Sequence, residues 1–356
     1  MSRISNSSFL HLFFIIFSFN VLISYSNAAP RNGSSLKGMF IFGSSIVDNG
    51  NNNDFLGDFA KANYKPYGID FSSGPTGRFS NGKNVADLLA DHLNLPLVPP
   101  FSDDRTKGAE IVHGVNFASG GSGILDVTGI VLGVTSMNNQ VKRFKDELLP
   151  QLESQLGSKG HKILPNYLFV VGAGNNDYTS YYLLQQKIIW TPNVFAAKLI
   201  SKLSSQLKAL YDVGARKFLL LSVYPVGCNP ALAKDKENCV EELNAAIELF
   251  NEQLALMIKH KNQQMPAAHF SVVNSAKIIT GFIKNANKAG LKNVDYACCE
   301  TTMEGTCKKD TTKICPKRDD YLYFDGLHLT EAANRILANK AYKSIDTSAV
   351  YPINLQ

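Results

Sequence analysis

Two short stretches of the sequence carry residue types that together could activate a hydroxyl group. The stretch FIFGSSIVDNGNNN places Ser45 directly after an apolar run, and YFDGLHLTEAANR places Asp325 three residues before His328. A serine hydroxyl is a poor nucleophile until a base removes its proton, and histidine serves as that base when a carboxylate orients its ring. Each stretch also has a plainer explanation. Serine beside glycine and asparagine is typical of a turn, and Asp-x-x-His by itself often lies on a protein surface.

An acyl-transfer site also needs hydrogen-bond donors for the oxyanion that develops on the substrate. The stretch NFASGGSGI offers backbone N–H groups that few side chains would cover, and GNNDY adds the side-chain amide of Asn176. A glycine run is more often a flexible turn. The chain has neither the GxGxxG nor the GKS/T pattern of a phosphate site, so phosphate binding is not indicated.

Apolar, β-branched runs predict the strands that would position these residues. They lie at 39–42, 167–171, 218–223 and 269–273, and a further strand is expected near Val115. Helical patterns lie between or after these runs, which predicts a parallel sheet with helices on both faces. Ligands bind beyond the carboxyl ends of the strands in such a sheet, where the serine, glycine and asparagine stretches would lie.

Several stretches carry the apolar periodicity of helices. The clearest is CVEELNAAIELFNEQLALMIKH, where apolar residues recur every three or four positions. Further helices are predicted in GKNVADLLADHL, near 141–156, in NVFAAKLISKLSSQLKALYDVG with Gly214 as its cap, and in TEAANRILANKAYKSI with Thr330 as its N-cap. No repeat or linker divides the chain, so 29–356 is predicted to be one domain.

Residues 1–28 are predicted to be a secretory signal peptide. Arg3 precedes an apolar run at 10–23, and small residues lead to a cleavage site after Ala28. A membrane anchor is the alternative, but polar residues interrupt a run already shorter than the roughly 20 residues of a spanning helix. We therefore expect a secreted, soluble protein, with Asn32 in Asn-Gly-Ser as a glycosylation acceptor.

Six cysteines are expected to form disulfides if the chain is exported. Cys228 and Cys239 flank a short loop and are predicted to pair with each other. The other four allow three pairings between which the sequence does not decide: Cys298, Cys299, Cys307 and Cys315. A zinc site is the alternative, but no CxxC pair or neighbouring histidine provides ligand spacing.

The composition of the 356 residues argues against a nucleic-acid partner. The formal net charge of +6 is a weak bias over a large surface, with 45% hydrophobic residues. Lysines gather between 288 and 317, but they lack the aromatic interleaving or the fold motif of a nucleic-acid binder. We interpret these lysines as part of a solvent-exposed surface.

The order of the chemical stretches resembles that of the SGNH hydrolases, specifically the plant GDSL esterase/lipase family. Four features occur in family order: Strand-Gly-x-Ser, a glycine-rich loop, Gly-x-Asn-Asp and Asp-x-x-His. Longer stretches also match family segments, namely TGRFSNGKNVADLLADHLNLP, GVNFASGGSGIL, YPVGCNP and ACCE. The resemblance covers nearly the whole mature chain. It implies a flavodoxin-like three-layer α/β/α sandwich with a central parallel sheet and no metal or organic cofactor.

The resemblance also implies the roles of the site residues. Ser45 would be the nucleophile, His328 the base and then the acid, and Asp325 the group that orients His328. The backbone N–H of Ser45, that of Gly121 and the side chain of Asn176 would form the oxyanion hole. The two other glycines of the same loop, at positions 120 and 123, are alternatives to Gly121.

Three positions depart from the family pattern. Ser44 stands where the family has aspartate, Ile46 where it has leucine, and Leu329 where proline is common. Ile46 conserves volume, and Leu329 is expected to loosen the turn that holds His328. Ser44 is expected to lower turnover about tenfold, because a hydroxyl accepts fewer hydrogen bonds than a carboxylate. The alternative is that the loops have adjusted and Ser44 is neutral or preferred.

The sequence therefore predicts a secreted carboxylic ester hydrolase that uses a Ser-His-Asp triad on small-molecule or lipid acyl esters, as a monomer. The absence of a GxSxG motif disfavours the α/β-hydrolase fold. Two alternatives stay open. One is a secreted binding protein that has lost efficient catalysis, and the other is an acyltransferase that uses the same triad.

Overall fold

A computed structural model describes residues 36–56, 60–179, 190–233, 235 and 237–356. The predicted signal peptide, its cleavage site and Asn32 lie outside these residues. Residues 35–356 cluster as one unit. None of the helices in the described residues combines the length and the hydrophobicity that a membrane span requires.

The described residues form seven strands: β1 Gly38–Gly43, β2 Tyr167–Gly172, β3 Lys217–Leu221, β4 His269–Val273, β5 Asn293–Ala297, β6 Tyr321–Tyr323 and β7 Val350–Tyr351. The main sheet has the order β1-β2-β3-β4-β7, in which the first four strands are parallel and β7 is antiparallel. The four apolar runs are thus confirmed as strands, although β3 ends at Leu221. Strands β5 and β6 form a separate small sheet.

The strand predicted near Val115 does not form. The segment makes only isolated bridges, in which Ile41 donates to the Val115 carbonyl at 3.1 Å and accepts from Phe117 at 2.8 Å. Regular pairing is short because Gly114 has a φ of 105° and the glycine-rich loop follows directly. This segment nevertheless lies along the free edge of β1. If it is counted as the second strand in chain order, so that β2, β3 and β4 become the third to fifth, the spatial order is the flavodoxin-like 2-1-3-4-5.

The described α-helices flank the sheet: α1 Val85–His92, α2 Met137–Arg143, α3 Leu149–Leu156, α4 Gly160–Ile163, α5 Pro192–Asp212, α6 Glu241–Gln264, α7 Ser275–Lys284 and α8 Glu331–Lys343. Helices α5 and α6 pack together with α2 beside α5, while α1 packs on α8. Gly214 lies at a φ of 118° just after the last residues of α5, and Thr330 caps α8 by accepting from the Ala333 amide. Helix α7 was not predicted.

The helix predicted near 141–156 is broken into α2 and α3 by one π-helical turn at Phe144–Leu148. Pro150 in the first turn of α3 has no N–H to donate to the preceding turn, which explains why the regular ladder stops there. Phe144 is fully buried and packs against Phe40, Phe42 and Phe169 of the central strands. The broken helix therefore still covers the sheet.

All six cysteines are paired. The predicted bond between Cys228 and Cys239 is confirmed, and the other four form the pairs Cys298–Cys315 and Cys299–Cys307. The zinc alternative is therefore wrong. These last two disulfides belong to a second hydrophobic cluster that also contains Tyr67, Phe79 and Phe324.

Candidate active site

Ser45, His328 and Asp325 form a continuous hydrogen-bonded chain. The Nε2 atom of His328 lies 2.8 Å from the Ser45 hydroxyl, and its Nδ1 atom lies 2.8 Å and 3.0 Å from the two carboxylate oxygens of Asp325. Asp325 is fully buried, while Ser45 and His328 each expose 7% of their surface. This arrangement can move a proton from the hydroxyl to the imidazole while the carboxylate stabilises the resulting cation.

The end of β1 holds Ser45 at its position. Gly43 has a φ of 132°, and a Cβ atom there would lie 2.1 Å from the Gly172 carbonyl oxygen, so this position requires glycine. Gln140 of α2 accepts from the Gly43 amide and donates to the Gly43 carbonyl, both at 2.8 Å. The buried amide of Gln140 thus fixes the turn that presents Ser45, a role that sequence reasoning missed.

Asp325 and His328 lie on the loop between β6 and α8. Asp325 Oδ1 accepts from the backbone amides of Leu327 and His328, both at 2.7 Å. The loop therefore closes around its own carboxylate, and the three-residue spacing places the imidazole beside that carboxylate. Tyr224 and Asn229 also donate to the Leu327 carbonyl, at 2.7 Å and 3.3 Å.

The structure gives no sign that Leu329 loosens this turn. Phe324 donates to the His328 carbonyl at 2.8 Å, and Thr330 donates to the Leu322 carbonyl at 3.0 Å, so paired backbone bonds close the loop on both sides of Leu329. The Leu329 side chain is buried in the main core. The expectation of a looser turn is therefore not supported by this geometry.

Phe79 is a neighbour of the site that the sequence did not assign. Its ring centroid lies 4.8 Å from that of His328, and a Cβ atom on Gly120 would lie 2.7 Å from the same phenyl ring. Phe79 therefore packs between the imidazole and the glycine-rich loop. Its segment matched the family pattern, but nothing in the sequence indicated which residues it would contact.

The three predicted oxyanion donors have different surroundings. Within the described chain, the backbone amides of Ser45 and Gly121 donate to no protein acceptor. Asn176 uses one amide hydrogen on the Ser122 carbonyl at 2.8 Å, which leaves the second. Gly121 has a φ of 82°, so the loop adopts a conformation at this position that favours glycine.

The asparagine-rich stretch after Ser45 holds the glycine-rich loop. Asp48 accepts from the Gly120 amide at 2.8 Å, and Asn52 donates to the Gly120 carbonyl at 2.9 Å. Asn51 donates to the Ala118 carbonyl at 2.7 Å. Both backbone polar groups of Gly120, the residue before Gly121, are therefore held by hydrogen bonds. The composition DNGNNN indicated a turn but not this contact.

A second buried carboxylate holds the other end of the same loop. Asp177 accepts from the amides of Ile124 and Leu125 and from the Thr128 hydroxyl, at distances of 2.8 to 3.1 Å. Burial raises the pKa of Asp177 to about 6, although these hydrogen bonds lower it. Asp177 thereby links the loop to the segment that carries Asn176.

Ser44 makes a different hydrogen bond from the one expected. Its hydroxyl donates weakly to the Gly172 carbonyl at 3.4 Å, and its backbone amide donates to the same oxygen at 2.9 Å. The side chain is fully buried. Ser44 thus acts as a donor at the end of β1, and a carboxylate in the same rotamer would place an acceptor against an acceptor.

Asp48 is expected to make the free energy of unfolding depend on pH. Burial raises the pKa of Asp48 to about 6, so below that pH the folded state binds a proton that the unfolded chain binds only near pH 4. Its contribution to stability therefore increases as pH falls from 7 to 5, by about 1 kcal/mol. Chemical denaturation of the wild type and Asp48→Asn at both pH values measures this. A wild type that is less stable relative to Asp48→Asn at pH 5 than at pH 7 would contradict it.

A small cavity lies beside His328, and the described residues contain no candidate metal cluster. No group of three His, Cys, Asp or Glu side chains there could hold a metal ion. A cavity of about 20 Å³ lies beside His328 and is lined mainly by apolar residues, including Ile46, Phe79 and Leu329. It has room for about one water molecule, so it is no substrate pocket.

Comparison with known proteins places this geometry in context. A family model described as GDSL-like Lipase/Acylhydrolase matches residues 39–341. One Arabidopsis thaliana GDSL esterase/lipase is 37% identical over 329 residues, which cover 89% of this chain and 84% of the relative. Another is 39% identical over 331 residues, which cover 89% of both chains. A third is 37% identical over a region that covers 96% of this chain and 95% of the relative.

The solved structures that match this chain are much more distant in sequence. A catalytic mutant of an acetylxylan esterase from Geobacillus stearothermophilus has a TM-score of 0.42 and 12% identity, over 86% of this chain and 92% of that chain. A phospholipase A1 from Streptomyces albidoflavus has a TM-score of 0.39 and 12% identity, over 86% and 99% of the two chains.

Proposed function

This chain belongs to the GDSL-like lipase/acylhydrolase family and is a carboxylic ester hydrolase, and we propose that it works through a Ser45-His328-Asp325 triad and an acyl-enzyme intermediate. The observation that carries the proposal is the pair of 2.8 Å contacts that join one imidazole to both Ser45 and Asp325. With Asp325 accepting from Nδ1–H, the Nε2 atom is left to accept the Ser45 proton.

The reaction proceeds in two acyl transfers. Ser45 Oγ attacks the ester carbonyl as its proton passes to His328 Nε2, and the imidazolium then protonates the leaving alkoxide as the ester bond breaks. Water repeats the sequence on the acyl-serine: His328 takes a proton from the water, and the acid leaves as Ser45 regains its proton. The amides of Ser45, Gly121 and Asn176 stabilise the oxyanion in both steps.

Trapping the intermediate tests this proposal. A trimethylacetyl aryl ester gives an acyl group that hydrolyses slowly, so acid quenching during turnover should leave the acyl group on the peptide that contains Ser45. Peptide mass spectrometry locates the modification. An acyl group on another residue, or turnover with no acylated residue in any quenched sample, would contradict the proposed mechanism.

Asn176→Ala is expected to lower kcat by about 10² to 10³ with little change in KM, because the amide would act on the oxyanion and not on the bound ester. The supporting observation is that, among the described residues, one of its two amide hydrogens has a protein acceptor, which is the Ser122 carbonyl. Steady-state kinetics on a short-chain aryl ester measure both constants. A change confined to KM would make Asn176 a substrate-binding residue instead.

We also propose that the mature protein is exported. The three disulfides support this, because such bonds persist in oxidising compartments. Mass spectrometry of the protein from the medium of secreting cells tests it, with a mature chain expected to begin at Ala29. An intracellular product that retains residues 1–28 would contradict it. The monomeric state and the absence of a nucleic-acid partner stay predictions.

A further inference from the structure

The carboxylate of Asp325 has one partner that the triad itself does not require. The hydroxyl of Tyr67 donates to Asp325 Oδ2 at 2.6 Å, and both side chains are fully buried. The same oxygen lies 2.8 Å from His328 Nδ1. Tyr67 therefore acts on the carboxylate oxygen that lies closer to the imidazole nitrogen, while the backbone amides of the loop bind the other oxygen.

The direction of this hydrogen bond follows from the surroundings of Tyr67. The backbone amide of Cys307 donates to the Tyr67 oxygen at 3.0 Å, so the single phenolic proton is left for Asp325. Burial and the nearby Asp325 carboxylate hold the pKa of Tyr67 well above its ordinary value. Tyr67 is therefore a neutral donor near pH 7.

A disulfide-closed segment supports both partners of this contact. Cys307 is bonded to Cys299, and within the segment that they close the Gly305 carbonyl accepts from the Gly326 amide at 2.6 Å. The segment therefore touches Tyr67 through one backbone group and the Asp325 loop through another. The Tyr67 ring also packs edge-on against Phe324, with centroids 5.7 Å apart. Tyr67 has little freedom to leave the carboxylate.

We propose that Tyr67 is a positioning residue for the triad, which holds Asp325 against His328 and draws part of the carboxylate charge away from the imidazole. This inference rests on the proposed triad. In the described chain, Tyr67 and His328 are hydrogen-bonded to Asp325, and Tyr224 is coupled to it electrostatically. Without the Tyr67 hydroxyl, the carboxylate favours the cationic imidazole more strongly, so neutral imidazole requires a higher pH.

Tyr67→Phe tests the proposal, with Tyr64→Phe as a matched control. The Tyr64 hydroxyl donates to the Cys307 carbonyl at 3.0 Å, and its ring lies 5.2 Å from that of Tyr67. Both variants remove one phenolic hydroxyl from the same cluster, but only one of these hydroxyls is bonded to Asp325. Tyr67→Phe is expected to lower kcat roughly tenfold with KM nearly unchanged, and to move the acid limb of the kcat/KM profile to higher pH. Tyr64→Phe should leave that limb in place.

A second variant keeps the test decisive if Tyr67→Phe does not fold. Replacing Tyr67 with 3-fluorotyrosine keeps the shape but makes the phenol a stronger donor, so the acid limb should move to lower pH with kcat close to that of the wild type. An unmoved limb in the folded variants, or equal shifts with Tyr64→Phe, would overturn the role of Tyr67. Labelling each sample with a fluorophosphonate separates this failure from failure of the triad, which would leave Ser45 unlabelled even in the wild type.

Discussion

Ser45→Ala and His328→Ala are each expected to lower kcat for ester hydrolysis by about 10⁶-fold while the protein remains folded. Ser45 supplies the oxygen that would carry the acyl group, and His328 is its hydrogen-bond partner at 2.8 Å. The two effects should not add in the double variant, because a nucleophile without its base and a base without its nucleophile are equally inactive. Hydrolysis of a short-chain aryl ester measures kcat, and circular dichroism reports the fold.

Surface variants provide the controls for these two losses. Ser205→Ala changes an exposed serine of α5, and His269→Ala changes an exposed histidine at the start of β4. Both should retain wild-type kcat within about twofold, since surface substitutions of this kind have small effects. A Ser45→Ala enzyme that hydrolyses the ester at a rate close to the wild type would refute the nucleophile assignment.

Asp325→Asn is expected to lower kcat by about 10⁴-fold with little loss of structure. The Asn carbonyl can still accept the amides of Leu327 and His328, which both bind Oδ1 at 2.7 Å. Its NH₂ group then faces His328 Nδ1 and the Tyr67 hydroxyl. This donor forces Nδ1 to act as an acceptor, so the ring proton moves to Nε2, which can no longer accept the proton of Ser45.

Kinetics and a charge-matched control test the effect of Asp325→Asn. Asp212→Asn removes an equally negative but exposed side chain, which pairs with Lys208 on the surface of α5, and should leave kcat unchanged. A loss of less than about tenfold in Asp325→Asn would show that orientation of His328 does not depend on this carboxylate. A group other than Asp325 would then have to orient His328.

The residues of the proposed triad could be recognised in the sequence because their chemistry restricts the residue types. Ser45 and His328 are 283 positions apart, yet a hydroxyl after one strand and Asp-x-x-His before a helix are recognisable separately and in family order. The apolar runs likewise predicted β1 to β4, since buried parallel strands leave a continuous hydrophobic signal. The segment near Val115 carried the same signal but pairs too briefly to form a strand.

The groups that hold the site together could not be predicted in this way. Asp48, Asp177 and Tyr67 each bind partners 49 to 258 positions away, and their local patterns match ordinary turns or core residues. Nothing in the DNGNNN stretch specifies that its carboxylate will bind Gly120. The pairing of the last four cysteines was open for a similar reason, because spacing alone permits three arrangements.

The most direct test of the central claim is labelling with a fluorophosphonate probe, followed by peptide mapping. The probe reacts with a serine only where the hydroxyl is activated and accessible, so it measures nucleophile, base and exposure together. The wild type should carry one adduct, on Ser45, and His328→Ala should carry almost none after the same exposure. An adduct on a different serine with Ser45 unmodified, or no adduct on an enzyme that hydrolyses esters, would contradict the Ser45-His328-Asp325 assignment.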